Sequence, residues 1–496
     1  MNGQRLDQLL QGVADAGGHG DLLVNGLCLD SRRVSAGDAF FALRGAHGHG
    51  IEFAKGAAER GALVVLAEAP AVETPPLAVP VLWIDGLRMR AGEIAARFFG
   101  QPTASLRVIG VTGTNGKTST VQLLAQSLAF LGHRVATIGT LGAGMHGALR
   151  EGERTTPDAI NVQALLASFR DAGATHVAME VSSHALDQGR VSGVGFEIAA
   201  FTNLTRDHLD YHGSMQAYGE AKAKLFAWAG LKAAAINTDD AFGRALAGSL
   251  PHDLRVLRVS AAGDASADVA AHDIATSAEG IAFGLRTPWG AQTIRSRLLG
   301  RFNVDNLLTV TASLGAMGEP FARIVAALES LQPINGRMNR LGGVDELPLV
   351  VVDYAHTPDA LEQALAALRA HCDGRLICVF GCGGERDAGK RPQMGAIAER
   401  LADIAIVTDD NPRGEDGDAI VAQIVAGMSR PGAACVRRDR ATAIRRAIEM
   451  ARRGDVVLIA GKGHETYQEG ADGKRPFDDM AVAGSALENL DLERHA

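Results

Sequence analysis

The chain has 496 residues, of which 47% are hydrophobic and 21% are charged, and its formal net charge is −8 at neutral pH. This length predicts about three domains, and the composition excludes a chain that is disordered throughout. The acidic balance argues against a nucleic acid as the main partner. No apolar run in the sequence approaches the roughly 20 residues that cross a bilayer, so no membrane span is predicted.

The cysteines and the N-terminal residues predict a soluble, cytoplasmic protein. The first ten residues, MNGQRLDQLL, lack the basic segment and apolar core of a secretion signal. An odd number of cysteines without a C-x-x-C pair is typical of reduced thiols in a large enzyme. These cysteines are Cys28, Cys372, Cys378, Cys382 and Cys435.

The first two thirds of the sequence predict two α/β domains. Residues 1–100 mix short apolar stretches with glycine-rich turns and predict a smaller N-terminal α/β domain. From Leu106, a β-branched strand leads through a glycine-rich turn into a helix that ends near Gly132. Strands predicted at 176–181, 196–203 and 232–238 alternate with helices. Residues 101–337 therefore predict a central, doubly wound and mostly parallel sheet with helices on both faces.

A second α/β pattern begins after Arg337. Strands are predicted at residues 348–354, 375–381, 402–409 and 455–461, and helical segments separate them. This alternation predicts a Rossmann-like C-terminal α/β domain over residues 338–496.

The strongest local motif is the segment GVTGTNGKTST at residues 110–120. A glycine-rich turn between a buried strand and a helix presents backbone N–H groups and the positive end of the helix to phosphates. Lys117 is placed to reach the β- and γ-phosphates, and the Thr118 hydroxyl is placed to bind Mg²⁺. The usual G-x-x-x-x-G-K-[ST] pattern has glycine where this chain has Val111, and Gly113 supplies the flexible turn instead. The motif predicts an ATP site.

Three further clusters of carboxylates and histidines follow predicted strands. They are HVAMEVSSH (176–184), TNLTRDHLDYH (202–212) and VDYAHTPD (352–359). Ligands of open α/β sheets bind beyond the carboxyl ends of the strands, so all three clusters are expected to face the glycine-rich turn. A single histidine is more often held by a structural hydrogen bond, but three clusters together favour metal and nucleotide binding.

Three loops of the last domain combine basic side chains with carboxylates. They are GCGGERDAGKR (381–391), DNPR (410–413) and GKGHE (461–465). An arginine fork suits a carboxylate and a glutamate suits an ammonium group, so Arg386 or Arg413 together with Glu465 predicts a site for a zwitterion. The alternative is a network of salt bridges between loops.

Several nucleotide-dependent classes fit the sequence poorly. It lacks the N-K-x-D motif that reads guanine, and it lacks the H-R-D and D-F-G motifs of protein kinases. A P-loop switch or motor ATPase stays an alternative. Its candidate acidic strand, VVVDY at residues 350–354, falls in a different predicted domain from Lys117, which is unusual for that class.

Taken in chain order, six motifs resemble the Mur ligases of peptidoglycan synthesis. They are TGTNGKTS, MEVSSH, TNLTRDHLDYHG, DYAHTPD, DDNPR and GKGHE, and they extend along nearly the whole chain. The resemblance is to the branch of the family that adds meso-2,6-diaminopimelate to UDP-N-acetylmuramoyl-L-alanyl-D-glutamate. It implies a monomer with a UDP-substrate domain, a central ATPase domain and a C-terminal amino-acid-binding domain. Folylpolyglutamate synthase shares the P-loop and the chemistry and is the alternative, but Arg413 and the segment LDSR (29–32) favour a Mur ligase.

The resemblance also implies the roles of individual residues. ATP would contact Gly113, Thr114, Asn115, Gly116, Lys117, Thr118, Ser119, Asn303, Arg337 and Asp353. Mg²⁺ would be held by Thr118, Glu180 and His208, which together with Lys117 and a carbamylated Lys222 (N6-carboxylysine) would form the catalytic set. The UDP-dipeptide would contact Leu29, Ser31, Ala46, His47, Gly48, Thr155, Thr156, Ser182, Gln188 and Arg190. Diaminopimelate would contact Arg386, Asp410, Asn411, Pro412, Arg413, Gly461 and Glu465. The family pattern has asparagine at the position of Arg154.

The chemistry that the resemblance implies has two steps. The γ-phosphoryl group of ATP passes to the free carboxylate of the UDP-linked dipeptide, with Lys117 and Mg²⁺ offsetting the charge on the transferring group. An amine of the incoming diamino acid then attacks the acyl phosphate, and domain closure would exclude the water that hydrolyses this intermediate.

Overall fold

The structure is a computed structural model of the chain and describes residues 3–45, 48–74, 76–152, 154–334, 336–344 and 346–495. The chain forms two compact units. The first comprises Met1–Ser260, Asp264–Val269 and Thr309–Ile324, and the second comprises Ala261–Gly263, Ala270–Leu308 and Val325–Ala496. The domain boundaries near residues 100 and 337 stay predictions. Within the described residues, no helix has the length and apolar character that a bilayer span requires.

The first hundred residues contain a small parallel sheet with helices packed on it. The strands β1 (Gln4–Arg5) and β2 (Leu23–Val24) form a short antiparallel pair. The strands of the parallel sheet are β3 (Gly26–Cys28), β4 (Asp38–Ala42), β5 (Val64–Glu68) and β6 (Val81–Ile84). The strands β3 to β6 pair in chain order, and all three pairings are parallel. The helices are α1 (Leu6–Leu9), α2 (Ala54–Glu59) and α3 (Leu87–Phe98). The central strands β4 and β5 are almost completely buried, which explains their apolar sequences DAFFA and VVLAE.

The larger sheet of the first unit is mostly parallel. Its strands are β7 (Arg107–Thr112), β8 (Val135–Gly139), β9 (Gly142–Met145), β10 (Ala148–Arg150), β11 (His176–Glu180), β12 (Phe196–Phe201), β13 (Ala233–Asn237) and β14 (Arg255–Ser260). They pair in the order β10-β9-β8-β11-β7-β12-β13-β14, and of these strands β9 runs antiparallel to the others, because it pairs antiparallel with both β8 and β10. The helices are α4 (Lys117–Phe130), α5 (Ala159–Asp171), α6 (Ser183–Asp187), α7 (Leu209–His212), α8 (Met215–Ala223) and α9 (Ala241–Ser249).

The register of this sheet brings the ends of three strands to one level. Glu180 at the end of β11 pairs with Val111 of β7, and Phe201 at the end of β12 pairs with Thr112. Because the strands are parallel, the loops that follow them emerge at the same edge of the sheet. The glycine-rich turn, Glu180 and the segment that begins at Thr202 therefore share this edge.

The chain between the two large sheets forms a meander and two helices. The antiparallel strands are β15 (Val269–Ser277), β16 (Gly280–Thr287) and β17 (Gly290–Ser296). The helices that follow are α10 (Phe302–Ala316) and α11 (Phe321–Ser330).

The last part of the second unit is a Rossmann-like sheet. Its strands are β18 (Asn339–Gly342), β19 (Leu349–Asp353), β20 (Leu376–Phe380), β21 (Ile404–Val407), β22 (Cys435–Val436) and β23 (Val456–Ala460), in the order β18-β19-β23-β20-β21-β22. Only β18 is antiparallel within this sheet. The helices are α12 (Pro358–Arg369), α13 (Lys390–Leu401), α14 (Gly417–Val425), α15 (Arg440–Met450) and α16 (Asp479–His495). Before α16, the strands β24 (Tyr467–Gly470) and β25 (Gly473–Pro476) form the final hairpin. Separate apolar clusters cover the two faces of the sheet.

These elements confirm the predicted fold class. The strands predicted after Leu106 and Arg337 are present, and the helix after the glycine-rich turn ends at Phe130, with Gly132 in the left-handed conformation that favours glycine. All five cysteines are free thiols. The antiparallel strands β9 and β10 and the meander are additions that the sequence analysis did not specify.

Candidate active site

The glycine-rich turn connects β7 to α4 at the carboxyl edge of the larger sheet. Gly113 and Gly116 have positive φ angles of 148° and 83°, which explains the preference for glycine at both positions. Lys117 begins α4, and its Nζ donates to the carbonyl oxygens of Gly113 (2.8 Å) and Thr114 (2.7 Å). Thr118 and Ser119 are half-buried in the first helical turn. The turn thus has the strand, glycine and lysine arrangement of a P-loop.

The segment after β12 braces this turn. Thr202 Oγ1 donates to the Asn115 carbonyl (2.6 Å), and Asn203 accepts from the backbone N–H groups of Thr114 (2.8 Å) and Asn115 (2.9 Å). The side chain of Thr114 in turn donates to the Thr205 carbonyl (3.2 Å). These bonds fix the conformation of the glycine-rich turn, and they involve no residue of the first helical turn of α4.

Lys222 in α8 reaches the same turn from the other side. Its side chain is 1% exposed, and its Nζ donates to the Gly113 carbonyl (2.6 Å), the same oxygen that Lys117 contacts. The Nζ also lies 4.2 Å from the centroid of the Tyr218 ring. Burial, and next the charge of Lys117, lower the pKa of Lys222 to about 6, and Asp207 opposes this shift. Lys222 therefore carries an amine that is largely neutral at pH 7.

Glu180 lies at the end of β11 and is 1% exposed. Its carboxylate accepts from the backbone N–H of Thr140 (2.8 Å) and from the Thr140 hydroxyl (3.1 Å). Among the described residues it has no lysine or arginine as an ion-pair partner. A buried carboxylate of this kind needs a cation for compensation, which fits a metal ion.

His208 lies at the exposed rim of this edge, with 47% of its side chain accessible. Its backbone φ is 51°, and its ring lies 4.8 Å from that of His184 and 6.0 Å from that of Tyr218. Since Lys222 Nζ also lies over the Tyr218 ring, His208 and Lys222 are neighbours of the same aromatic side chain. In the part of the chain that the structure describes, no three His, Cys, Asp or Glu side chains form a ready metal cage. The metal expected here is one that takes several ligands from phosphates and water, as Mg²⁺ does.

A cationic cavity of about 150 Å³ lies beside the same edge, within the first unit. It is lined by Leu29, Leu43, Arg88, Ala91, Arg154, Asp158, Ala159, Gln188 and Arg190. Burial lowers the pKa of Arg190, and the neighbouring charge of Arg154 lowers it further. Three arginines around one small cavity form a site for an anionic group.

Hydrogen bonds connect this cavity to Glu180. Arg190 Nη1 donates to the Thr156 carbonyl (3.1 Å), and Thr156 Oγ1 donates to the Glu180 carbonyl (2.8 Å). Thr156 Oγ1 also accepts from the backbone N–H of Ser182 (3.2 Å). Thr140 Oγ1, which donates to the Glu180 carboxylate, lies 3.1 Å from Thr155 Oγ1. The predicted substrate residues 155, 156, 182 and 190 are thus brought together at the end of β11.

Gln188, also predicted to bind the UDP-dipeptide, lines the cavity, and the remaining residues of that prediction lie in the first hundred residues. Leu29 lines the cavity, Ser31 begins a short 3₁₀ helix after Asp30, and Gly48 is exposed. Ala46 and His47 lie outside the described residues. The roles of these residues stay predictions.

Three residues predicted to contact the nucleotide lie in the second unit. Asn303 is buried, and its Nδ2 donates to the Leu299 carbonyl (2.7 Å). Asp353 accepts from the backbone N–H of Met338 (2.8 Å), and burial raises its pKa although the charge of Arg337 opposes this. Arg337 lies 5.9 Å from the centroid of the Tyr354 ring. Their role in nucleotide binding stays a prediction.

The loops after β20, β21 and β23 meet at one edge of the C-terminal sheet. Arg413 has a φ of 52° and a side chain that is 20% exposed. Its Nε donates to Glu469 Oε2 (3.1 Å), and its Nη1 donates to the Gly384 carbonyl (2.8 Å). The ion-pair partner of Arg413 is therefore Glu469 of the final hairpin.

A buried network surrounds Asn411. Its Oδ1 accepts from Lys462 Nζ (2.9 Å), its Nδ2 donates to Glu465 Oε2 (2.9 Å), and Lys462 also donates to that oxygen (2.9 Å). Burial acts to raise the pKa of Glu465, but the hydrogen bonds from Lys462 and Asn411 outweigh it and leave the pKa lowered. Glu465 is thus held as a carboxylate that suits an ammonium group.

Below this network lies a completely buried ion pair. Arg440 and Asp479 are both 0% exposed and form two hydrogen bonds of 2.7 Å. Arg440 Nη2 also donates to the Ala460 carbonyl (3.0 Å), directly before Gly461. Burial raises the pKa of Asp410, although the charges of Arg440 and Lys462 oppose the shift. The pair fixes the bases of the loops that carry Asp410 and Gly461. Pro412 is half-buried beside them, and Arg386 is exposed.

Several residues of these sites were not predicted from the sequence. Thr140 holds Glu180, Arg88 lines the cavity, and Lys462 and Glu469 hold the loops of the C-terminal edge. Lys462 follows a predicted strand, so its position alone was a signal, whereas Thr140 follows β8, which was not predicted from the sequence. Glu469 follows no strand of the main sheet and had no such signal.

The fold and the turn at residues 113–117 define a P-loop α/β protein, and three family models describe it more closely. The models are the Mur ligase family catalytic domain at residues 23–99, the Mur ligase middle domain at 111–314 and the Mur ligase glutamate ligase domain at 336–463. The chain belongs to the Mur ligase family.

Individual proteins support this assignment. A protein of Xanthomonas campestris pv. campestris named UDP-N-acetylmuramoyl-L-alanyl-D-glutamate--2,6-diaminopimelate ligase is 59% identical over 482 residues, 97% of each chain. A solved structure with the same protein name is 38% identical and covers 100% of both chains with a TM-score of 0.78. Mycobacterium tuberculosis folylpolyglutamate synthase, solved with ADP and AMPPCP, is 18% identical, covers 81% of this chain and 95% of its own, and has a TM-score of 0.59. The last similarity concerns the fold alone.

Proposed function

We propose that this chain is an ATP-dependent ligase that joins meso-2,6-diaminopimelate to UDP-N-acetylmuramoyl-L-alanyl-D-glutamate in peptidoglycan synthesis. The names of its relatives at 59% and 38% identity support this activity. The folylpolyglutamate synthase alternative has only the shared fold at 18% identity in its favour. None of the three relatives described above is named as a switch or motor ATPase.

The observation that carries the proposal is the hydrogen-bonded connection between Glu180 and Arg190. The P-loop end of this connection suits the γ-phosphate of ATP, and the arginine-lined end suits an anionic acceptor. A ligase of this type needs both reactants at one edge of the sheet, because effective phosphoryl transfer depends on their positioning.

The proposed reaction proceeds through an acyl phosphate. A carboxylate oxygen of the dipeptide attacks the γ-phosphorus, and ADP leaves. The amine of diaminopimelate then attacks the acyl carbon, and inorganic phosphate leaves as the amide forms. Lys117 offsets the charge on the transferring phosphoryl group, while Arg190 orients the acceptor.

Thr118, Glu180 and His208 would hold Mg²⁺, which supplies charge neutralisation on the phosphates when bound. The buried, cation-free carboxylate of Glu180 fits this role. The proposed carbamate on Lys222 would add a negative charge beside them, and the buried neutral amine of Lys222 supports that modification.

Replacing Glu180 with glutamine should raise the Mg²⁺ concentration for half-maximal activity by at least about tenfold. The amide keeps the shape and the hydrogen bond from Thr140 but removes the charge. A Mg²⁺ titration at saturating ATP measures the change, with the exposed Glu220 replaced by glutamine as control. An unshifted Mg²⁺ titration in Glu180→Gln would exclude Glu180 from the metal site.

The proposed activity is tested by ADP release with UDP-N-acetylmuramoyl-L-alanyl-D-glutamate and a panel of diamino acids. We expect sustained ADP release only when both substrates are present, and the highest rate with meso-diaminopimelate. ADP release that needs ATP alone would instead indicate a switch or motor ATPase. Activity with a folate and glutamate would indicate the folylpolyglutamate synthase alternative. The monomeric state and the cytoplasmic location stay predictions.

A further inference from the structure

The final hairpin is attached to the loop that carries Arg413. The backbone N–H of Arg413 donates to the Glu469 carbonyl (3.0 Å), and the backbone N–H of Glu469 donates to Asn411 Oδ1 (2.9 Å). These two bonds involve only the backbone of Glu469. They place its carboxylate beside the Arg413 guanidinium, whose Nε donates to Glu469 Oε2 (3.1 Å).

The guanidinium of Arg413 is held on two sides. Glu469 accepts from Nε and the Gly384 carbonyl accepts from Nη1, while Nη2 forms no hydrogen bond with the described residues. A guanidinium is planar, so two fixed donors determine the direction of the remaining ones. The side chain is also only 20% exposed, which limits alternative positions.

We propose that Glu469 is a positioning residue for amine selection, which holds Arg413 with its Nη2 side directed to the distal carboxylate of the amine substrate. This inference rests on the proposed function. Without Glu469, Arg413 keeps its charge but gains rotamers, and binding a carboxylate must then restrict a freer side chain. Because Glu469 accepts from Nε and the Gly384 carbonyl accepts from Nη1, Nη2 is left for the substrate.

The Arg413 backbone adds a second reason for this arrangement. A φ of 52° is uncommon for arginine, so neighbouring contacts must stabilise the loop. The backbone bonds from the hairpin provide that stabilisation and do not depend on the Glu469 side chain. Substitutions of Glu469 should therefore alter the guanidinium without unfolding the loop.

The test compares Glu469→Ala, Glu469→Gln and Glu469→Asp in the full chain, alone and combined with Arg413→Ala. We expect Glu469→Ala to raise KM for diaminopimelate about tenfold, with kcat and the KM values for ATP and UDP-dipeptide within about twofold of wild type. Glu469→Gln retains an acceptor for Nε and should raise KM about threefold. Selectivity for diaminopimelate over lysine should fall further in Glu469→Ala than in Glu469→Gln.

The combined variant separates positioning from a general structural effect. In the Arg413→Ala background, Glu469→Ala should have no further effect on the amine KM. Glu346→Ala, which removes an exposed ion pair with Arg453, is the matched control. An unchanged amine KM in Glu469→Ala, an equal rise in all three KM values, or the same effect without Arg413 would overturn the inference. If wild type prefers a different amine, the proposed function is wrong on that point, and the same cycle measured with the preferred amine decides the role of Glu469.

Discussion

Replacing Arg413 with alanine is expected to lower kcat/KM for meso-diaminopimelate by about 30- to 1,000-fold, with a much smaller effect on lysine. Lysine lacks the distal carboxylate, so a selective site needs a cation for that group alone. The arrangement with Glu469 and Gly384 leaves Nη2 to donate charge-assisted hydrogen bonds to this carboxylate. When lysine binds, the partly buried guanidinium gains no substrate partner, which penalises lysine further.

The measurement is kcat/KM for both amines in wild type and in Arg413→Ala. Arg430→Ala is the control, because Arg430 also pairs with a glutamate, Glu399, but is 75% exposed. Wild-type activity that is equal for lysine and diaminopimelate, or an unchanged ratio in the variant, would show that Arg413 is not the selector.

Replacing Lys222 with alanine is expected to abolish nearly all activity, and small carboxylates such as formate or acetate should restore part of it. If Lys222 carries a carbamate, the substitution removes a negative group beside the P-loop, and a small carboxylate that enters the space can substitute for it. An unmodified ammonium at this position would repel both Mg²⁺ and the charge of Lys117. Lys224→Ala is the matched control, since Lys224 lies two residues away and pairs with Asp187 at an exposed position.

The modification should also depend on pH with a definite sign. Carbamylation requires the neutral amine, which attacks CO₂ and loses a proton. Since burial lowers the pKa of Lys222 to about 6, the neutral amine is the larger fraction at pH 7. Enzyme depleted of CO₂ should regain activity when bicarbonate is added at pH 7, and the recovery should decline as the pH falls through about 6. Full activity of Lys222→Ala without added carboxylate, or no response of wild type to CO₂ depletion, would exclude the carbamate.

The local sequence was sufficient to predict the P-loop and the fold class. The strand before Gly113 and the helix after Gly116 are continuous segments, and their apolar periodicity reports burial within a few residues. The same holds for β19 and α12, which are separated only by residues 354–357 of the DYAHTPD motif. Six ordered motifs then identified the family, because each is a short segment that requires no knowledge of the strand order.

The strand order and the partners of the functional side chains came from the tertiary structure. The sheet order β8-β11-β7-β12 places Thr140 beside Glu180, although 40 residues separate them. Lys222 reaches the Gly113 carbonyl across 109 residues, and this burial is what lowers its pKa. Sequence periodicity reports which face of an element is buried, but it carries no information about which distant element covers that face.

Arg413 shows most directly which properties follow from the sequence and which follow from the tertiary structure. The sequence by itself determined that an arginine follows a DNP turn after a buried strand, and therefore that a guanidinium lies at that edge of the sheet. The tertiary structure alone decided that its partner is Glu469, 56 residues further along the chain, and that Gly384 holds its other side. The physical reason is that hydrogen bonds between loops depend on how the strands cross and pair, so the direction of a guanidinium is set by packing between elements that are distant in sequence.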